Sequence, residues 1–386
     1  MKKRVVLAGL NSIQNYGDHF IGECVEFLVE ICRKETECVT LDLGFCKKNF
    51  RFLIYGGIRL LANFLPNSTI SYKLVYVAMR IRFYKYYYNI LKTADGLIFA
   101  CGSFKYGTQN LWAQYSIAVE CAEKLNIPVM FDAMNVQKYN ADDWRCKCLR
   151  VHANYPCVKM ITTRDGYVGA ERLKSDYITS KSIRILPVGD PAFWIPECYG
   201  KRKQSGDKVG INLIRGDIYT DYGWRKLSEK QLIEAYSELI EILNREEIEW
   251  EFFTNGLPED YIFGLKVLKN CGMEENIKET IVVPKDAEDL IRVISRYRGI
   301  LGARLHACIC AYSLDVPVSG FVWDEKMLHF AEMARLEEFF LDEEEFTGME
   351  LFVKLQKAIR GIYDQKNREN WKRCTQKSIN EFLQLL

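Results

Sequence analysis

The chain has 386 residues, a hydrophobic fraction of 48% and a formal net charge of +2. That length exceeds one typical core and predicts two domains plus a tail. The composition excludes a disordered chain, and near-neutrality argues against a nucleic-acid partner.

No segment is apolar for the roughly 18 residues that a membrane span needs. Fourteen cysteines are scattered rather than closely paired, which predicts free thiols in a reducing cytoplasm and no structural zinc. Lys2-Lys3-Arg4 before Val5–Leu10 imitates a signal peptide, but the apolar run is short and ends in Asn11-Ser12. It reads as a first strand, Arg4–Leu10.

In chain order, further strands are predicted at Cys38–Leu41, Gly96–Ala100, Pro128–Asp132, Met160–Thr163 and Ile183–Pro187. Helical patterns cover Asp18–Arg33, Tyr72–Leu91, Leu111–Leu125 and Asp165–Leu173. Unalternating apolar strands between helices predict a parallel sheet covered on both faces. The polar run Glu197–Asp207 is expected to be a linker. Alternation then restarts, with strands at Lys208–Leu213, Trp250–Phe253, Thr280–Val283, Gly299–Leu301 and Val318–Phe321. Helices are predicted at Ser228–Leu243, where Ser228 and Gln231 form a capping box, and at Asp260–Lys269, Ala287–Ser295, Arg304–Leu314 and Asp324–Ala334. The expected organisation is a Rossmann-like domain over 1–197, a second over 208–345, and helices over 346–386 that pack back on the first.

Ligands of such sheets bind beyond the carboxyl ends of the strands. After the first strand, Asn15-Tyr16-Gly17-Asp18 offers a turn glycine and an aspartate, which either caps the next helix or borders an anion site. After the third strand, Gly102 and Ser103 let a backbone approach a ligand or make an ordinary turn; this is no dinucleotide fingerprint. Arg164 follows Ile161-Thr162-Thr163 and either pairs with Asp165 or aims at a ligand. Asp190, before Pro191, is first of all a turn signal. Gly302-Ala303-Arg304-Leu305-His306-Ala307 is the strongest local pattern. Arg304 and the first-turn amides near Leu305 favour an anion, and His306 is either a proton carrier or a satisfied core histidine. Lys326 would add positive charge. No metal site is expected.

Together these pieces resemble the polysaccharide pyruvyl transferases. The likeness rests on Asn15-Tyr16-Gly17-Asp18, Thr163-Arg164-Asp165, Gly189-Asp190-Pro191 and Arg304-Leu305-His306-Ala307, in order over about Val5 to Phe330. The resemblance implies a GT-B-like α/β fold of two Rossmann-like domains facing across a cleft. It implies transfer of a pyruvyl group from phosphoenolpyruvate to sugar hydroxyls as a ketal, with no further cofactor. Arg164, Arg304 and His306 would be catalytic. Asn15, Gly17, Asp18, Gly102, Ser103, Leu305 and Lys326 would bind the donor. The alternatives are a GT-B glycosyltransferase using a nucleotide sugar and a silent binding protein of the same fold.

From Leu43 to Ala94 the chain has no aspartate or glutamate but nine lysines and arginines. Residues 72–92 interleave six tyrosines with five of these bases. This predicts peripheral contact with an anionic membrane, a subunit interface or an ordinary snorkelling helix. The acceptor would be a glycan or a lipid-linked saccharide.

Overall fold

The structure, a computed structural model, describes the chain except residues 1, 10–14, 44–49, 66–67, 101, 105–109, 222–226, 274–276 and 343–345. The end of the first predicted strand at Leu10, the turn residues Asn11 and Ser12, Cys101, and the bases Lys47 and Lys48 lie outside the described residues.

The strand–helix alternation builds two α/β bodies. One comprises Met1–Ile13, Ile21–Gly189 and Trp371–Leu386; the other comprises Gln14–Phe20 and Asp190–Asn370. The first contains strands β1 (Lys3–Gly9), β2 (Thr36–Asp42), β3 (Gly96–Ala100), β4 (Ser103–Phe104), β5 (Val129–Val136), β6 (Val158–Thr163) and β7 (Arg184–Pro187). They pair in parallel in the order β2-β1-β3-β5-β6-β7, with β4 beside β5. β3 and β5 are buried at every position, as central parallel strands must be when helices cover both faces. Those helices are α1 (Tyr16–Cys32), whose first turn as far as Phe20 belongs to the second body, α2 (Phe50–Asn63), α3 (Thr69–Leu91), α4 (Leu111–Leu125), α5 (Trp144–Ala153) and α6 (Gly166–Arg172). Phe99 stacks on Phe131 at 4.4 Å and meets Tyr115 edge-on at 5.0 Å, so strand and helix rings share one core.

The second body contains α7 (Ile195–Tyr199), β8 (Val209–Asn212), α8 (Ile218–Asp221), α9 (Glu229–Arg245), β9 (Trp250–Phe253), α10 (Pro258–Asn270), α11 (Ile277–Thr280) and β10 (Ile281–Val282). It continues with α12 (Ala287–Ser295), β11 (Gly299–Gly302), α13 (Leu305–Ser313), β12 (Val318–Phe321), α14 (Glu325–Ala334), β13 (Phe340–Leu341) and α15 (Gly348–Arg360). Its sheet is parallel in the order β10-β9-β8-β11-β12-β13. The capping box at Ser228 is present: the Ser228 N–H donates to Gln231 Oε1 at 2.9 Å, and Ser228 Oγ accepts from the Gln231 N–H at 3.3 Å.

The boundary differs from the expected one. The chain changes body at Gly189–Asp190, before the polar run of 197–207. Asp190 caps a short 3-10 turn, and Phe193 packs its ring 5.4 Å from Tyr312 of α13, which fixes this stretch to the second body. The polar run lies against that body too, with the Gln204 N–H donating to Ser295 O at 2.7 Å. The last helix, α16 (Gln365–Leu383), is divided: residues from Trp371 onward belong to the first body. Among the described residues no helix is long and apolar enough to cross a membrane.

Candidate functional site

In an open parallel sheet a ligand crevice forms where the strand order reverses. In the second body this point lies between β8 and β11. β8 ends at Asn212, β11 ends at Gly302, and Arg304 is the N-cap of α13. The Arg304 backbone is extended, and its side chain makes no capping hydrogen bond. Asn212 does part of that work from the neighbouring strand: its Oδ1 accepts the Arg304 N–H at 2.9 Å. Asn212 Nδ2 in turn donates to Asn255 Oδ1 at 3.1 Å and to Phe253 O at 3.3 Å. Both asparagines are fully buried. The Asn255 carbonyl accepts the Tyr16 N–H at 3.1 Å, tying in the start of α1.

The first-turn amides of α13 cannot be satisfied within the helix, so its start favours an anion. A cation there is unfavourable unless neutralised. Arg304 is neutralised: its Nε and Nη2 each lie 2.6 Å from a different oxygen of Asp260, in a two-pronged pair. Asp260, in the first turn of α10, is fully buried and also accepts the Arg215 N–H at 3.0 Å. Burial pushes its carboxyl above the usual range, against the pull of the Arg304 charge and of these hydrogen bonds. Arg304, expected to favour an anion, is thus already paired with Asp260 and keeps only Nη1 outside the pair.

His306 is buried in the first turn of α13. Its Nδ1 lies 3.6 Å from Asp18 Oδ1. Asn15 Nδ2 donates to Asp18 Oδ2 at 3.0 Å, and the Asp18 N–H donates to Asn15 O at 2.9 Å. Phe20 meets the imidazole edge-on at 6.0 Å. Gly17 lies against the histidine so closely that a Cβ there would come within 2.4 Å of His306 Cβ. Gly17 and Asp18 thus lie against His306 within the second body, and Asn15 holds the Asp18 carboxylate. Lys326 lies with its Nζ 4.3 Å from the Trp323 ring and 3.9 Å from Asp324 Oδ2. Trp323 Nε1 donates to Ala303 O at 2.8 Å, which joins this turn to the loop before α13.

The sequence profile of the polysaccharide pyruvyl transferases matches residues 15–325, a span that holds Asn15, Asp18, Asp260, Arg304 and His306. The chain belongs to this family. No functionally curated protein matches the sequence of this pyruvyl transferase family member. Solved structures do. The UDP-GlcNAc 2-epimerase of Methanocaldococcus jannaschii superposes with a TM-score of 0.60 at 14% identity, over 100% of both chains. The enzyme of Neisseria meningitidis, bound to UDP-GlcNAc, gives 0.55 at 11% identity, over 100% of both chains. Anabaena HepE in complex with UDP-glucose gives 0.52 at 9%, over 99% of this chain and 100% of that one. At such identities the likeness shows the fold, which is GT-B.

The other expected residues sit as follows. Leu305 is the buried first residue of α13. Arg164 is buried in the first body just after β6. The carboxylate of its neighbour Asp165 accepts Asn135 Nδ2 at 2.8 Å and the Val136 N–H at 2.6 Å, which gives Asp165 a structural task. Gly102, also in the first body, has φ +132°, and a Cβ would fall 2.0 Å from the Tyr115 hydroxyl; packing alone demands glycine. Ser103 pairs in β4 with Asn135 of β5. Asp190 is a buried cap whose Oδ1 accepts the Ala192 N–H at 2.9 Å. Sequence reasoning missed Asn212, Asn255, Asp260 and Trp323.

Proposed function

We propose that this member of the family transfers the pyruvyl group of phosphoenolpyruvate to two hydroxyls of a glycan or lipid-linked saccharide, forming a cyclic ketal. The observation that carries this reading is the Asp18–His306 pair at the start of α13, beside the switch point of the sheet. In the reaction the donor's methylene carbon gains a proton and the neighbouring carbon gains oxocarbenium character. One sugar oxygen bonds to that carbon; the second then bonds as the C–O bond to phosphate breaks. The two hydroxyl protons balance the new methyl group and the released phosphate. No redox change occurs, so no cofactor is called for.

His306 is the acid–base group of this scheme, since imidazole both gives and takes a proton near neutral pH. Asp18 orients the ring and stabilises its cationic form, with Asn15 holding the carboxylate. The α13 amides at Leu305 and His306, with Nη1 of Arg304 and Lys326, face the donor's anionic groups. Arg164, Gly102 and Ser103, all in the first body, are assigned a binding role from the family resemblance alone.

A second reading is a nucleotide-sugar enzyme, because solved proteins of this fold hold UDP-GlcNAc or UDP-glucose. Calorimetric titration with phosphoenolpyruvate, UDP-GlcNAc and UDP-glucose separates the two. Binding of phosphoenolpyruvate is expected. Binding of a nucleotide sugar alone would replace the proposal with the second reading.

A further inference from the structure

Within the acid-free stretch, Phe50–Asn63 and Thr69–Leu91 form the antiparallel pair α2 and α3. α3 buries Val75, Met79, Phe83 and Tyr87 in the core of the first body. Arg80 is held by Glu120 at 2.5 Å, and the Arg82 guanidinium lies 4.7 Å from the Tyr55 ring. The aromatic residues of 72–92 are thus mostly spent on packing, and the unclaimed apolar surface lies elsewhere.

It lies on the outer face of α2 and at the hairpin tip. Leu60, Leu61, Phe64 and Ile70 are 64%, 58%, 76% and 61% exposed. Ile54 and Leu65 are exposed as well. Ile54, Gly57, Leu61 and Phe64 recur at helical spacing, and at Gly57 a Cβ would meet nothing within 4 Å. Ser71 Oγ donates to Ala62 O at 2.9 Å and Ser68 Oγ to Leu65 O at 2.8 Å, which ties the end of α2 to the start of α3 while Leu61, Phe64, Leu65 and Ile70 stay exposed. A soluble monomer rarely exposes so contiguous an apolar set without a partner.

We propose that the α2–α3 tip docks on an anionic lipid surface, Leu60, Leu61, Phe64 and Ile70 entering the interface while Arg59 and Lys73 meet the headgroups. Charge selects this occupant. Lys73 and Lys85 are exposed on α3, Arg59 is half-buried on α2, and the 43–94 stretch holds no acid to balance them. An apolar strip bordered by bases is the signature of a helix lying in a lipid headgroup layer. A second copy docked through the same face would set these bases against their own equivalents. The inference is independent of the reaction proposed above.

The test is flotation of the full chain with vesicles of phosphatidylcholine alone and of phosphatidylcholine mixed with phosphatidylglycerol. The protein should float only with the mixed vesicles. Leu61→Ser with Phe64→Ser should weaken partitioning about tenfold or more, since two large apolar side chains no longer leave water. Arg59→Gln with Lys73→Gln should reduce the dependence on phosphatidylglycerol. All four side chains are at least partly solvent-exposed, and an unchanged circular-dichroism melt confirms folding. Absence of flotation, or flotation indifferent to both double variants, overturns the proposal. So does a dimer in sedimentation velocity that Phe64→Ser abolishes, because self-association would then account for the patch.

Discussion

At the level of single residues, the candidate site turns on the relation between Asp18 and His306. Both were singled out in the sequence, but as separate features: one as a cap or anion-site residue, the other as a proton carrier. Their spacing, nearly three hundred positions, carries no periodic signal, so only the fold could pair them at 3.6 Å. Asn212, Asn255 and Asp260 were illegible for the same reason. A lone polar residue at a strand end or helix start looks like a cap until its partner is known. Arg304-Leu305-His306 was legible because its residues are neighbours in the chain. If His306 moves the proton, His306→Ala should lower kcat by about 10²–10⁴. Asp18→Asn should lower it by about ten- to a hundredfold, because the ring is then less well oriented. A loss of melting temperature with kcat unchanged would reduce Asp18 to a structural residue.

Among the elements, the strands and most helices followed from unbroken apolar runs and from caps such as Ser228. α5 and β13 were not expected. α5 presents mixed polarity, and β13 has two residues, too few for a period to show. α5 matters because it locks α3 in place. His152 of α5 places Nε2 3.2 Å from the Tyr76 hydroxyl and Nδ1 2.8 Å from Cys148 O. Tyr76 stacks on Trp112 of α4 at 6.1 Å. Burial holds the His152 ring below its ordinary value of 6.5. The folded state thus resists protonation more than the unfolded chain does. The stability from the neutral ring is complete above pH 6.5 and is lost as pH falls below it. Urea unfolding at about pH 8 and about pH 5 should show this loss in the parent protein and a shallower one in His152→Gln. Parallel pH dependences would mean that the ring does not couple α3 to α5 through its charge.

Across the whole molecule, two successive α/β bodies were legible because the alternation stops and restarts. The crossing point was not, since the polar run of 197–207 looks like a linker whether it spans two bodies or lies along one. The tail was expected as helices over 346–386 packing back on the first domain, and only residues from Trp371 onward belong to the first body. In the structure its last part completes the first body. Ile379, Phe382 and Leu383 are buried, Thr375 Oγ1 donates to Gly189 O at 2.8 Å, and Arg33 Nη1 donates to Leu383 O at 3.0 Å. A Cβ on Gly96 of β3 would sit 2.9 Å from the Leu386 side chain, so the tail lies directly against the sheet. Three large apolar side chains at about 1.5–3 kcal/mol each amount to roughly 5–9 kcal/mol. That is comparable to the whole stability of an ordinary domain, about 5–15 kcal/mol. A chain ended at Asn370 should therefore lose the cooperative unfolding of its first body even though no strand has been removed. The measurement is near-UV circular dichroism against urea. If the shortened chain keeps the full near-UV signal and the parent midpoint, the helix is an attachment and the first body stands without it.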